Sequence, residues 1–315
     1  MGESAPQGLP PACAVHVCAV LVTYHPDLAI LAESLDALLP QVGCVVVVDN
    51  ASGDPRVATL CAARAIDCVA LPINRGLAWA LNEGIARARG VAGVTRVLLL
   101  DQDSVAAPAM VARLDAVLTR LAADGVKAGA VGPCYRDPRE ARAAPFVRIR
   151  FPFNRKLRCA AAAAKIRCDF LITSGCLIPL AVLDEVGAMD AALFIDNVDL
   201  EWCFRAASRG YVFHGVCAAA LRHRLGDARR RLFGLPRGIV VHPPARLYYM
   251  MRNRVLLYRR AYVPRRWIAQ DLPRLVVKLL LFGVLIAPRR RNLRCMLAGL
   301  AAGLAGRPTP PPEGA

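Results

Sequence analysis

No CxxC pair, no GxGxxG and no GxxxxGK[ST] occurs anywhere in this 315-residue chain. The first absence argues against a zinc or disulfide framework, the other two against a Rossmann dinucleotide site and a P-loop. Residues 1–12 show no basic stretch leading into an apolar one, so no signal peptide is expected. The most apolar stretch, Leu275–Ala287, is 13 residues long and contains Lys278. Crossing a bilayer takes about 20 residues, so a transmembrane helix is not expected there. Acidic residues are scarce in one region only. Residues 205–315 hold three of them (Asp227, Asp271, Glu313) against 22 Lys+Arg, whereas residues 1–204 hold 21 acids and 19 bases.

That imbalance assigns the whole excess charge of +17 to the C-terminal part and implies a polyanionic partner there. An apolar stretch flanked by Arg274 and Arg289–Arg291 suits a helix lying in the headgroup plane of an anionic membrane better than a nucleic-acid surface. No zinc finger or RNP-like motif supports nucleic acid, and none is expected as a partner. The twelve cysteines are scattered, and Cys18, Cys44 and Cys176 sit inside apolar runs. The pattern predicts reduced thiols that pack as small hydrophobes in a cytosolic protein.

Apolar runs and helix-like stretches alternate from the N-terminus. Strands are expected at Val15–Thr23, Val45–Val48, Cys68–Leu71 and Val97–Leu100, and helices at Leu28–Leu39, Arg56–Arg64 and Gly76–Arg89. Continuous rather than alternating Val/Leu runs mark strands covered on both faces, hence a mostly parallel α/β sheet flanked by helices. Polar residues follow three of these strands: Thr23-Tyr24, Asp49-Asn50 and Asp101-Gln102-Asp103. Ligands of open α/β sheets collect at that rim. Residues 135–167 read as an irregular loop over the site or a variable insertion. Further helices are expected near 180–187 and in the acid-rich 193–209 stretch.

Three elements carry chemistry. Asp101 and Asp103, one residue apart at a strand end, can chelate Mg²⁺ or Mn²⁺, hard cations that bridge phosphate oxygens. The same Asp-x-Asp also opens phosphatases of the haloacid-dehalogenase type, though there it follows the first strand. In Val198–Arg205, Glu201 and Arg205 are spaced to pair on a helix surface. That leaves Asp199 as the less committed carboxylate, available as a general base. His223, between Arg222 and Arg224, is expected to be neutral and able to ligate a metal.

Taken together, the chain resembles the GT-A glycosyltransferases of family 2, and among them bacterial rhamnosyltransferases of O-antigen and related polysaccharides. The matching residues run in family order: Val22-Thr23-Tyr24-His25-Pro26, Val48-Asp49-Asn50-Ala51-Ser52, Asn74-Arg75-Gly76-Leu77-Ala78 with Asn82-Glu83-Gly84-Ile85, Asp101-Gln102-Asp103-Ser104, Thr173-Ser174-Gly175, Leu193–Asp196 through Trp202 and Arg205, His223-x-Leu225-Gly226-Asp227, and Tyr248-Tyr249 with Arg252-Asn253. The resemblance implies that Thr23, Tyr24 and Asp49 contact the donor's base and ribose. Asn74 and Gly76 open the turn beside the donor, with Asp101 also near it. Asp101, Asp103 and His223 form the metal site with Mg²⁺ or Mn²⁺, and Asp199 is the catalytic base. Val198 stands where the family usually carries Glu, which leaves Asp196 as a rival base, with Glu201 and Trp202 as further candidates for base or acceptor contacts. Implied partners are a nucleotide-sugar donor, dTDP-L-rhamnose first, and a glycan or lipid-linked acceptor. The implied location is the inner face of the bacterial inner membrane. The expected layout is a flexible stretch at 1–12, a GT-A domain at 13–240, a basic amphipathic membrane-associating extension at 241–306 and a loose tail at 307–315.

Overall fold

Strand β1 (Ala14–Thr23) is the axis of the sheet in the computed structural model, which describes residues 14–137, 143–160, 164–223, 229–232 and 235–306. Val17 to Leu21 are wholly buried on both faces of β1. It pairs in parallel with β2 (Val42–Asp49) on one side and with the later strand Arg96–Asp101 on the other. Thr23 stands level with Asp49, and Val22 with Asp101, so register alone brings these strand ends to one rim.

The helices between them start at local signals. Helix α1 (Leu28–Leu38) begins at Asp27, whose carboxylate accepts from the backbone N–H groups of Ala29 and Ile30. Helix α2 (Pro55–Ala62) combines an Asp54 cap with proline at its first position and is followed by β3 (Asp67–Ala70). Helix α3 (Leu77–Arg89) covers β1 and β2 and leads to β4 (Arg96–Asp101). After the short β5 (Val105–Ala106) come α4 (Met110–Ala123) and β6 (Ala128–Arg136).

Beyond β6 the sheet is mixed. A hairpin of β7 (Phe146–Arg148) and β8 (Arg155–Leu157) precedes β9 (Lys165–Cys168) and β10 (Cys176–Pro179). Helices α5 (Leu180–Val186) and α6 (Val198–Ser208) then lead to β11 (Val212–Arg222). The strand order is β3-β2-β1-β4-β10-β6-β11-β5, with β9 antiparallel on β11 and β10 antiparallel to both β4 and β6. Residues 135–167 therefore differ from the irregular loop expected: they add a hairpin and a sheet strand. A disulfide between Cys159 and Cys217 ties this segment to β11, so these two cysteines are not the thiols their spacing suggested. Among the described residues nine other cysteines are free, seven of them buried enough to pack as hydrophobes: Cys18, Cys61, Cys134, Cys168, Cys176, Cys203 and Cys295.

The last part holds the hairpin of β12 (Arg229–Leu232) and β13 (Leu235–Val240), then α7 (Pro244–Tyr258), α8 (Arg265–Leu280), a wide helical turn over Leu281–Leu285, and α9 (Arg289–Ala305). Gly299 and Gly303 let α9 lie directly on α7, because a Cβ on Gly299 would stand 2.3 Å from the Tyr248 carbonyl oxygen. Leu247, Met251, Leu275, Phe282, Ile286 and Met296 form a second core here, while Leu257, Val263 and Trp267 belong to the main one. The C-terminal helices are thus packed onto the sheet domain. The ends expected at 1–12 and 307–315, and the Leu225–Asp227 part of the histidine motif, lie outside the described residues.

Candidate active site

A cleft of about 680 Å³ opens at the rim where β1 and β4 end. Its wall includes Thr23, Tyr24, Asn50, Asn74, Gly76, Asp101, Gln102, Asp196, Asp199, His223, Arg246 and Tyr249. Residues 200 positions apart along the chain thus meet in one cavity.

At the ends of β1 and β2 the polar residues are held by one another. The buried Asp49 carboxylate accepts from the Thr23 hydroxyl at 2.7 Å and from the Ser52 N–H at 3.0 Å, and also from the Ser52 hydroxyl. It sets the turn after β2 and, unlike Thr23 and Asn50, does not line the cleft. Asn50 donates to the Asn74 amide oxygen at 2.9 Å and accepts from the Arg75 N–H at 3.0 Å. The same Asn74 oxygen accepts from the Gly76 N–H at 2.9 Å. Gly76 has φ +86, and a Cβ there would lie 2.5 Å from the Phe194 ring, so both backbone and space demand glycine.

The acidic corner forms at the end of β4. Asp101, Asp103 and His223 each offer one ligand atom, and these atoms all lie within 4.8 Å of one another. His223 Nδ1 is 3.2 Å from Asp103 Oδ1, and its Nε2 is 3.8 Å from Asp101 Oδ2. The Ser104 hydroxyl, 2.8 Å from Nδ1 and 2.6 Å from the Ser174 hydroxyl, fixes the ring. Two carboxylates and an imidazole with an outer partner on its second nitrogen suit a hard or borderline divalent cation. The flanking arginines do not set the His223 pKa as expected. Arg222 turns away to pair with Glu33. Burial disfavours the His223 cation, but the hydrogen bond to Asp103 and the charges of Asp101, Asp103 and Asp137 outweigh it and hold the pKa above the ordinary value. Asp101 is pushed up by burial, opposed by His223 and Arg246 and reinforced by Asp103.

Helix α6 divides the remaining candidates by its own periodicity. Asn197, Val198 and Asp199, at its N-terminal end, face the cleft. Burial raises the Asp199 pKa to about 6; the N–H of Leu200, donating at 2.8 Å, pulls it down, and Asp101 and Asp196 push it further up. Glu201 and Trp202 point the other way, a correction to their candidacy. Glu201 is fully buried, bound to Arg205 as its spacing suggested and to Arg260 at 3.0 Å, with Tyr262 also donating to it. The Trp202 indole donates to the Gly187 carbonyl at 3.0 Å inside the core. Asp196, the rival base, does line the cleft but is engaged by Arg246 at 3.0 Å.

Two groups of cleft residues were not picked out from sequence. Gln102, whose side chain accepts from the Tyr24 N–H at 2.7 Å, sits inside a motif but had no assigned role. Arg246 and Tyr249 come from α7, beyond the boundary expected at 240; Tyr249 sits inside a motif without an assigned role, and no local signal marks Arg246. Phe194, Asp196 and Asn197 all have positive φ. That segment is held by Asn253, whose buried amide donates to the carbonyls of Leu193, Ile195 and Asp196 at 2.7–2.9 Å. Arg252 donates to those of Ala192 and Leu193, and Phe194 stacks on Tyr249 with centroids 4.6 Å apart.

Residues 18–175, half of the chain, match the family described as Glycosyl transferase family 2. The chain belongs to that family. This glycosyltransferase is 29% identical over 292 residues to the dTDP-rhamnosyl transferase RfbF of Shigella flexneri, covering 92% of this chain and 95% of that one. Among solved structures it is similar to GalNAc-T7, crystallised with UDP, GalNAc and Mn²⁺, with a TM-score of 0.58 and 13% identity. That match covers 94% of this chain and 58% of GalNAc-T7, so the chain spans little more than half of that protein's length. It is also similar to residues 1–349 of S. aureus TarS, with a TM-score of 0.54 and 14% identity over 91% of this chain and 80% of that one. These likenesses establish the GT-A fold. The phosphatase reading of the Asp-x-Asp motif falls away with the family.

Proposed function

We propose that this chain is an inverting rhamnosyltransferase that moves L-rhamnose from dTDP-L-rhamnose to a hydroxyl of a glycan or lipid-linked acceptor in cell-envelope synthesis. The observation that carries the chemistry is the convergence of Asp101, Asp103 and His223 with the raised carboxylate of Asp199 at one strand rim. The donor identity is supported by the likeness to the Shigella flexneri enzyme over nearly the whole chain.

Thr23, Tyr24 and the Asn50–Asn74–Gly76 turn would seat the nucleotide, with the diphosphate directed toward Asp101. Asp101, Asp103 and His223 would hold a divalent cation, Mg²⁺ or Mn²⁺. Such an ion, when bound, supplies a Lewis acid that carries the negative charge developing on the departing diphosphate. Asp199 takes the proton of the acceptor hydroxyl as its oxygen bonds to the anomeric carbon and the bond from that carbon to the phosphate oxygen breaks. One displacement inverts the anomeric configuration. Asp196 is committed to its ion pair with Arg246 and is the less available carboxylate. The expected place of work is the inner face of the membrane.

A panel of nucleotide sugars with an acceptor extract, with Mg²⁺, Mn²⁺ or EDTA, tests this. Release of dTDP from dTDP-rhamnose above the other donors, lost with EDTA, is expected. Faster turnover of a UDP-sugar would overturn the donor assignment, and turnover unaffected by EDTA would overturn the metal site.

A further inference from the structure

Helices α8 and α9 use one apolar stripe to pack inward and leave another facing solvent. Leu272, Val276 and Leu280 recur every four residues along α8 and so share one face. Val277, Leu280 and Val284 are 62%, 58% and 58% exposed. Leu293, which lies against Gly283 of the wide turn, and Leu297 carry the exposed surface onto α9. Soluble surfaces scatter such side chains singly; a contiguous exposed stripe marks an interaction surface.

Charge identifies the partner. Residues 265–306 hold eight Lys+Arg and one acid, Asp271, which is buried and bound to Arg254 at 3.1 Å and Tyr258 at 2.6 Å. Arg289, Arg290 and Arg291 occupy the exposed first turn of α9, which carries no acid. Cations at a helix N-terminus oppose the helix dipole, a local cost that an anionic surface removes. Two copies of this face would set one strongly basic surface against another, which disfavours self-association.

We propose that the outer face of α8, the wide turn and α9 seats on an anionic lipid bilayer. Its valines and leucines enter the headgroup boundary and Arg289–Arg291 meet the lipid phosphates, with the helices parallel to the membrane plane. The surface is separate from the catalytic cleft.

The test is co-sedimentation of the full chain with vesicles of phosphatidylglycerol and phosphatidylcholine, or phosphatidylcholine alone, without donor. Binding to the anionic vesicles, weakened by salt and slight on the neutral ones, is expected. Replacing all three of Arg289, Arg290 and Arg291 by Ser lowers partitioning about 100-fold. The triple change Val277→Ser, Leu280→Ser and Val284→Ser also lowers it, with dTDP release on a soluble acceptor unchanged in both variants. No wild-type binding to anionic vesicles, or unchanged binding by both variants, overturns the proposal. So does a dimer that the second variant dissolves while vesicle binding is nil. Since binding is read without donor, its failure is distinct from a failure of the transferase reading.

Discussion

At Asp199 the deciding quantity is the balance between burial and one local N–H donor. Burial wins and raises the carboxyl to about 6. A general base works best with a pKa near the operating pH, so this shift favours proton abstraction near neutrality. Asp199→Asn keeps the shape and removes the basic oxygen. A kcat about 10²- to 10⁴-fold lower is expected, with donor affinity by calorimetry nearly unchanged. Normal turnover by that variant would move the role to Asp196. The pH dependence has a definite sign: the base must be ionised, so kcat falls as pH drops through about 6. A bound cation would favour the carboxylate and move that limb lower. A low-pH limb that persists unchanged in the residual activity of Asp199→Asn would assign that limb to another group. Ser104 offers a separate test, because it touches His223 and Ser174 and is not itself one of the three candidate ligands. Ser104→Ala should raise the Mn²⁺ concentration needed for half-maximal activity about 10- to 100-fold, as outer-shell partners of metal ligands usually do.

The segment between the short turn Ala191–Leu193 and α6 shows how neighbouring elements hold a strained loop. Three non-glycine residues there have positive φ, which is unfavourable for L side chains unless the surroundings enforce it. The buried amide of Asn253 and the guanidinium of Arg252 do so from α7, and the Phe194 carbonyl accepts from the Ala78 N–H of α3 at 3.3 Å. The turn before α3, helix α6 and helix α7 therefore meet at this loop. Asn253→Ala removes the donor to three carbonyls. It should cost about 1–3 kcal/mol in urea unfolding, and kcat should fall because Asp199 is misplaced. An unchanged kcat in a folded variant would show that the loop holds itself.

Across the molecule, the parallel half β3-β2-β1-β4 supplies the site and the C-terminal helices close it. Arg246 and Tyr249 reach the cleft from α7, so 241–306 is part of the site's wall as well as a basic surface. Among the described residues no helix is long and apolar enough to cross a membrane.

The N-terminal strands, their helices and the rim positions of Thr23 and Asp101 were legible in the sequence, because apolar runs, caps and strand ends are local signals. The spacing of Asp101 and Asp103 marked them as a candidate cation pair, whereas His223 joined them only through the resemblance, since it lies 119 residues from Ser104 and nothing near it announces the partnership. Residues 135–167 were not, because short strands recruited by distant neighbours carry little pattern of their own. Folding the chain was needed to turn Glu201 and Trp202 inward, to set the carboxylates of Asp101 and Asp103 against His223 in place of its flanking arginines, and to bring Arg246 to Asp196. Each of those outcomes depends on which far-off groups share a low-dielectric pocket, a property of packing that no window of sequence contains.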